Sequence, residues 1–175
     1  MSKVGIIRYP GSNCDIETFH YFNDIFGENS SFYIWHNIND LSVLNKVNLL
    51  VLPGGFAFGD RIYDKATGNY TISPGTMALN SPVTVLIKVA VEKSIPIIGI
   101  CNGFQILTQL NLLPGKLELN HCQKFMCKKV QCIVDNKGKR DVTELCIANS
   151  YGKYVNPSFD DDHYKVFLEY NDHPY

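Results

Sequence analysis

One of the six cysteines in this chain stands where a nucleophile would stand. Cys101 sits in Gly99-Ile100-Cys101-Asn102-Gly103, at the end of an apolar run from Ile95 to Ile100 broken only by Pro96 and Gly99. That run suits a short buried parallel strand. After it, Ile106, Leu107, Leu110 and Leu113 recur at helical spacing. Strand, sharp turn, nucleophile-type residue and helix together make the setting of a nucleophile elbow. The flanking glycines answer to the cramped turn, where side chains would collide. A cysteine at a helix N-terminus faces unpaired N–H groups and the positive end of the dipole, which favour the thiolate. A thiolate attacks carbonyl carbon. The pentapeptide alone would equally suit a helix entry around an inert cysteine; the strand before it and the helix after it favour the chemical reading.

Acyl chemistry also needs donors for a developing oxyanion. Pro53-Gly54-Gly55 follows the apolar run Val47–Leu52, and in an open parallel sheet ligands sit beyond the carboxyl ends of the strands. The glycine pair and the elbow therefore belong at the same end. Gly54 and Gly55 offer N–H groups to an oxyanion, and the N–H of Asn102, next after the nucleophile, is the expected second donor. By itself Pro53-Gly54-Gly55 reads as a tight turn closing a strand; facing an elbow, it reads as half of an oxyanion hole. Gly54, Phe56 and Gln105 make up the expected substrate-binding set. Gln105 lies four residues after Cys101 on the same helix face, with a solvated helix glutamine as the plain alternative. Cys122, Cys127 and Cys132 recur every five residues beside His121, but the spacing lacks zinc knuckles and puts successive members on opposite faces of a strand, so no metal site is expected.

The elements that must position these residues follow in order. Lys3–Tyr9 reads as a strand, and Ser12-Asn13-Cys14-Asp15 as a capping-box start. A helix with Ile16, Phe19, Phe22 and Phe26 on one face then closes at Gly27. Ser31–His36 is a second strand, Asn39-Asp40 a cap for a short helix over Leu41, Val43 and Leu44, and Val47–Leu52 a third strand. Residues 56–82 form a long loop without periodicity, the kind that is usually functional in a compact domain. Val83–Val91 is a helix leading to the strand before Cys101. Beyond Pro114-Gly115, strands at Lys116–Asn120, Phe125–Val134 and Tyr164–Tyr170 follow without helices, with turn residues at Asp135-Asn136-Lys137-Gly138. The expected fold is α/β: three layers, a mainly parallel flavodoxin-like sheet between helices, with an antiparallel edge extension.

With 175 residues, the chain reads as one domain with room for a real core. Its 45% hydrophobic and 19% charged residues argue against disorder. A net charge of −1, with no basic run beyond Lys128-Lys129, gives nucleic acid no footprint. No stretch is long and apolar enough to span a bilayer, and the first residues carry no signal-peptide pattern, so a cytoplasmic protein with free thiols is expected.

Gly99-Ile100-Cys101-Asn102-Gly103-Phe104-Gln105 resembles the nucleophile motif of class I (triad) glutamine amidotransferases. Tyr9-Pro10-Gly11-Ser12-Asn13-Cys14-Asp15, Pro53 through Arg61, and Asn111-Leu112-Leu113-Pro114-Gly115 extend the resemblance, in the right order, toward those glutaminase subunits that serve formylglycinamidine ribonucleotide synthesis in the purine pathway. The likeness runs from Val4 to about Val134. It implies that Cys101 attacks the side-chain amide of L-glutamine. The ammonia released would pass to an ATP- and magnesium-dependent synthetase subunit, sometimes bridged by a small third subunit. This chain itself would need no cofactor.

The chain also departs from that pattern. Members of the family carry a late His-Pro-Glu that supplies base, acid and orienting carboxylate. Here His173-Pro174 is followed by Tyr175, and His173 is the one echo of the missing histidine. The sequence is shorter than the family's, as though its C-terminal part were incomplete. His163 beside Asp160-Asp161-Asp162 reads as a solvated turn. In Ile147–Tyr154, Asn149 stands where the family has a histidine. A catalytically impaired docking module of the same complex is therefore the alternative to an active glutaminase.

Overall fold

The computed structural model describes residues 3–59, 63–64, 69–70, 73–136, 139–156 and 164–172. They fall into two compact units, Met1–Leu113 and Pro114–Tyr175. His173, the Asp160–His163 run and Arg61 lie outside the described residues.

The first unit is built on four parallel strands: β1 (Val4–Arg8), β2 (Ser31–Trp35), β3 (Leu49–Leu52) and a strand at Ile97–Gly99, in the spatial order β2, β1, β3, Ile97–Gly99. Alternation along the two central strands sorts the core. Val4 and Ile6 of β1 and Val51 of β3 join Phe22 of helix α1 (Asp15–Phe26) on one face. Ile7, Leu50 and Leu52 face the other way, onto Leu86 and Ile87 of α2 (Val83–Glu92) and Ile106 and Leu107 of α3 (Asn102–Gln109). Period-2 strands feeding two apolar faces require helices on both sides, which gives the three expected layers. A 3₁₀ turn at Leu41–Lys46 joins β2 to β3, and Asp40 caps it by accepting from the Ser42 N–H at 2.9 Å.

Three expectations need correction. The capping box is not formed: helix α1 starts after Cys14 without a side-chain cap, and Ser12 Oγ accepts from the Tyr9 N–H at 3.1 Å. The Asn13 and Cys14 N–H groups are drawn instead to Gly54 O, each at 3.2 Å. The predicted apolar face of α1 is only partly buried: Phe22 is in the core, but Ile16 and Phe26 are 52% and 44% exposed. Buried Asp15 and Thr18 occupy the inward positions, Asp15 paired with Arg8, whose guanidinium also lies over Tyr33 and Trp35. Finally, the strand before the elbow is not buried on both faces. Among the described residues it is one of the two edge strands of the four, and Ile98 and Ile100 are 41% and 46% exposed.

Within residues 56–82, 3₁₀ turns at Ala57–Gly59 and Thr76–Asn80 flank a two-residue ribbon, β4 (Tyr63–Asp64) with β5 (Asn69–Tyr70). The Ile97–Gly99 strand is thus β6. Ala57 and Ala78, one from each turn, are buried in the core with α2 and α3.

The second unit carries the antiparallel strands as ladders of their own. β7 (Lys116–Glu118) pairs with β10 (Lys153–Val155), while β8 (Met126–Asn136) lies between β9 (Lys139–Asn149) and β11 (Leu168–Tyr170). β9 and β10 were not expected from the sequence. The charged first half of β9 suits a ladder whose described side chains are mostly exposed, and such a strand shows little apolar alternation. Asn120 organises this unit from a fully buried position. Its Nδ2 donates to Lys124 O and Asn149 O at 3.1 and 3.0 Å, and its Oδ1 accepts from the Gly152 N–H at 2.9 Å. Among the described residues no helix is long and apolar enough to cross a membrane, and no group of three or more His, Cys, Asp or Glu could hold a metal ion.

Gly103 ties the elbow helix to the sheet, since a β-carbon there would lie 2.0 Å from Leu52 O. Gly103→Ala must push α3 off β3 and should cost about 1–3 kcal/mol, as overpacking does. Urea unfolding would register this as a lower midpoint at constant slope, and an unchanged midpoint would contradict the packing.

Candidate functional site

Cys101 takes φ 53°, ψ −108°, a left-handed backbone position that a non-glycine residue holds only when its surroundings enforce it. Those surroundings are visible. On the strand side the Ile100 N–H donates to Leu52 O at 3.0 Å, and on the helix side the Gly103 N–H donates to Ile100 O at 2.9 Å. The Gln105 N–H donates back to Cys101 O at 3.1 Å, the first bond of α3. A β-carbon on Gly99 would meet Gly103 O at 2.8 Å, so both glycines of the motif are required by close backbone approach. The elbow read from the sequence is the elbow in the structure.

The glycine loop after β3 reaches the same point. The N–H groups of Asn102 and Gly55 lie near the Cys101 sulfur and draw its pKa down. Gly55 has φ 145°, and a β-carbon there would lie 2.5 Å from the Asn13 nitrogen and 2.6 Å from Gly11 O, so no other residue fits. From Phe56 onward, three successive N–H groups alternate between two supports. Phe56 donates to Gly11 O at 2.8 Å, Ala57 to Asn102 Oδ1 at 3.0 Å, and Phe58 to Pro10 O at 2.6 Å. The loop is stitched to the elbow on one side and to residues 10–11 on the other.

Gly54 borders both Cys101 and a second thiol: a β-carbon on it would lie 3.4 Å from Cys101 Cβ and 3.4 Å from Cys14 Sγ. The sequence placed Cys14 in a helix cap and gave it no part in the site. Only the pairing of residues 10–14 with the glycine loop brings it there, and that pairing is long-range. Gln105 is buried, unlike the solvated alternative, and its Oε1 accepts from Asn102 Nδ2 at 3.0 Å. A close approach of Gly75 to the Gln105 backbone covers that side. Phe56 is exposed beside the glycine pair.

The acidity of Cys101 runs against the sequence expectation of a favoured thiolate. The residue is open to solvent, yet protein atoms crowd its sulfur, and this burial pushes the thiol above its ordinary value. The Asn102 and Gly55 N–H groups pull it back down only in part, and the neighbouring Cys14 thiol adds to the rise. Burial and the charges of Glu17 and Asp15 raise Cys14 as well. Among the described residues no imidazole is one of the groups that set the Cys101 thiol. A thiol raised in this way needs a base to become a nucleophile.

Alkylation of Cys101 by iodoacetamide should therefore be slow at pH 7. It should rise about tenfold per pH unit, with a midpoint above the ~8.5 of a free thiol. Mass mapping of the labelled peptide across pH checks this, and a midpoint well below 8 would contradict it.

Residues 1–152 match the family described as the CobB/CobQ-like glutamine amidotransferase domain. The phosphoribosylformylglycinamidine synthase subunit PurQ of Aquifex aeolicus (strain VF5) is 38% identical over 163 residues, covering 89% of this chain. The chain spans 66% of that relative's length. A chain in the solved structure of PurLQS from Thermotoga maritima superposes with a TM-score of 0.79 at 33% identity, covering 98% of this chain and 75% of that one.

Proposed function

This chain belongs to the CobB/CobQ-like glutamine amidotransferase family, and from that premise we propose that it is a glutaminase subunit releasing ammonia from L-glutamine. The observation that carries the reading is the glycine loop held against a strained elbow, with Ala57 bonded to Asn102 and Gly54 beside Cys101.

In the proposed cycle the Cys101 thiolate forms a bond to the side-chain amide carbon, and the carbonyl π pair moves onto oxygen between the two donors. Collapse breaks the C–N bond, and the nitrogen leaves as ammonia after taking up a proton. Water then adds to the γ-glutamyl thioester, the S–C bond breaks, and glutamate and the thiol are restored. Losing one oxyanion donor typically costs a hundred- to a thousandfold in rate. Gly54, Phe56 and Gln105 border the place where the glutamine side chain would enter. A proton must be carried from the thiol to the leaving nitrogen and taken from the attacking water; within this chain His173 is our candidate.

The ammonia would pass to a synthetase subunit that uses ATP and magnesium to make formylglycinamidine ribonucleotide in purine biosynthesis. A small bridging subunit completes the proposed assembly, and its place is the cytoplasm. The likeness to a PurQ subunit and to a chain of PurLQS supports this choice within the family. No cofactor is assigned to the chain itself.

Cys101→Ala tests the proposal in the presence of the synthetase partner. Glutamine-dependent synthesis should fall to background while synthesis from added ammonia continues unchanged. Retained use of glutamine would refute the assignment.

A further inference from the structure

The Asn102 side chain joins the two halves of the donor pair, and its orientation is fixed without ambiguity. Ala57 N–H is a donor, so the atom 3.0 Å from it must be the Asn102 oxygen. The Asn102 amide nitrogen must then face an acceptor, and Gln105 Oε1 lies 3.0 Å away. Both Asn102 and Gln105 are buried, and the Ala57 bond links residues 45 apart in the chain. In the glutaminase reading Asn102 supplies one oxyanion donor from its backbone. Its side chain holds the glycine loop two residues beyond the other donor. The supports on the opposite side, Gly11 O and Pro10 O, take the alternate N–H groups of the same strand of loop.

We propose that Asn102 and Gln105 are positioning residues. The Gln105–Asn102–Ala57 relay sets the spacing between the Gly55 and Asn102 N–H groups, and so the fit of the oxyanion. This rests on the glutaminase reading and gives Gln105 a role different from direct contact with substrate. A residue that contacts glutamine contributes to binding in the ground state, so its loss raises KM. A relay that sets donor spacing acts when charge develops on oxygen, so its loss lowers kcat and leaves KM nearly unchanged.

The test uses the full chain, with 6-diazo-5-oxo-L-norleucine as a glutamine-like electrophile carrying a carbonyl and iodoacetamide as one that needs no oxyanion support. Asn102→Ala and Gln105→Leu should slow labelling of Cys101 by the saturating diazoketone about ten- to a hundredfold. The half-saturating concentration and the iodoacetamide rate should stay within about threefold. Gln105→Glu keeps an acceptor for the Asn102 amide and should restore most of the rate. It also covers the case in which Asn102→Ala does not fold. Unchanged diazoketone rates in both variants would overturn the relay alone, as would a Gln105→Leu defect confined to the half-saturating concentration. A wild-type chain that iodoacetamide labels at Cys101 but the diazoketone does not would overturn the glutaminase reading, and the relay with it.

Discussion

A sulfur at the tip of a left-handed turn is useful only if the turn cannot relax and the donors facing it cannot drift. Among the described residues both conditions are met by backbone groups together with the Asn102 carboxamide. The Gly54-Gly55 loop passes between residues 10–14 and the elbow, and its N–H groups are taken up alternately by one side and the other. Each bond is worth only about a kilocalorie per mole net. Breaking one in a buried site leaves an unpaired donor, which costs more. The loop is therefore held in one geometry, with Gly54 beside Cys101. The core supports it from below: Leu52, which closes β3, is fully buried, and its carbonyl receives the Ile100 N–H and abuts Gly103.

The price of this arrangement is acidity. Burying the sulfur among neutral groups strengthens any electrostatic help the N–H donors give to an oxyanion, but it also disfavours the thiolate before substrate arrives. A thiol raised in this way needs a base before it can act as a nucleophile. Burial raises the Cys14 thiol as well, and the charges of Glu17 and Asp15 add to that rise.

Much of this was legible in the sequence, and the reasons are local. Gly99, Cys101 and Gly103 announce an elbow because only glycine permits the approach of helix to strand there. Gly55 and Asn102 could be paired because strand order places both at the carboxyl end of one sheet. What stayed hidden depended on contacts between distant segments. Ser12 resembles a cap, but the pull of Gly54 O on the Asn13 and Cys14 N–H groups reshapes the entry to α1. Ile98 and Ile100 look like residues of a buried strand, but apolar character alone does not distinguish a central strand from an outer one. The carboxamide of Asn102 gave no sign that it would bind Ala57. β9 was invisible because its charged first half lies on a ladder that buries little.

The central claim is that Cys101 forms a covalent bond to a glutamine-derived acyl group between the Gly55 and Asn102 N–H groups. Acid quenching of the chain during turnover of isotopically labelled L-glutamine, followed by peptide mass spectrometry, reads this directly. The account predicts a labelled γ-glutamyl thioester on the peptide containing Cys101. An adduct on Cys14 instead, or consumption of glutamine with no adduct on Cys101, would contradict it.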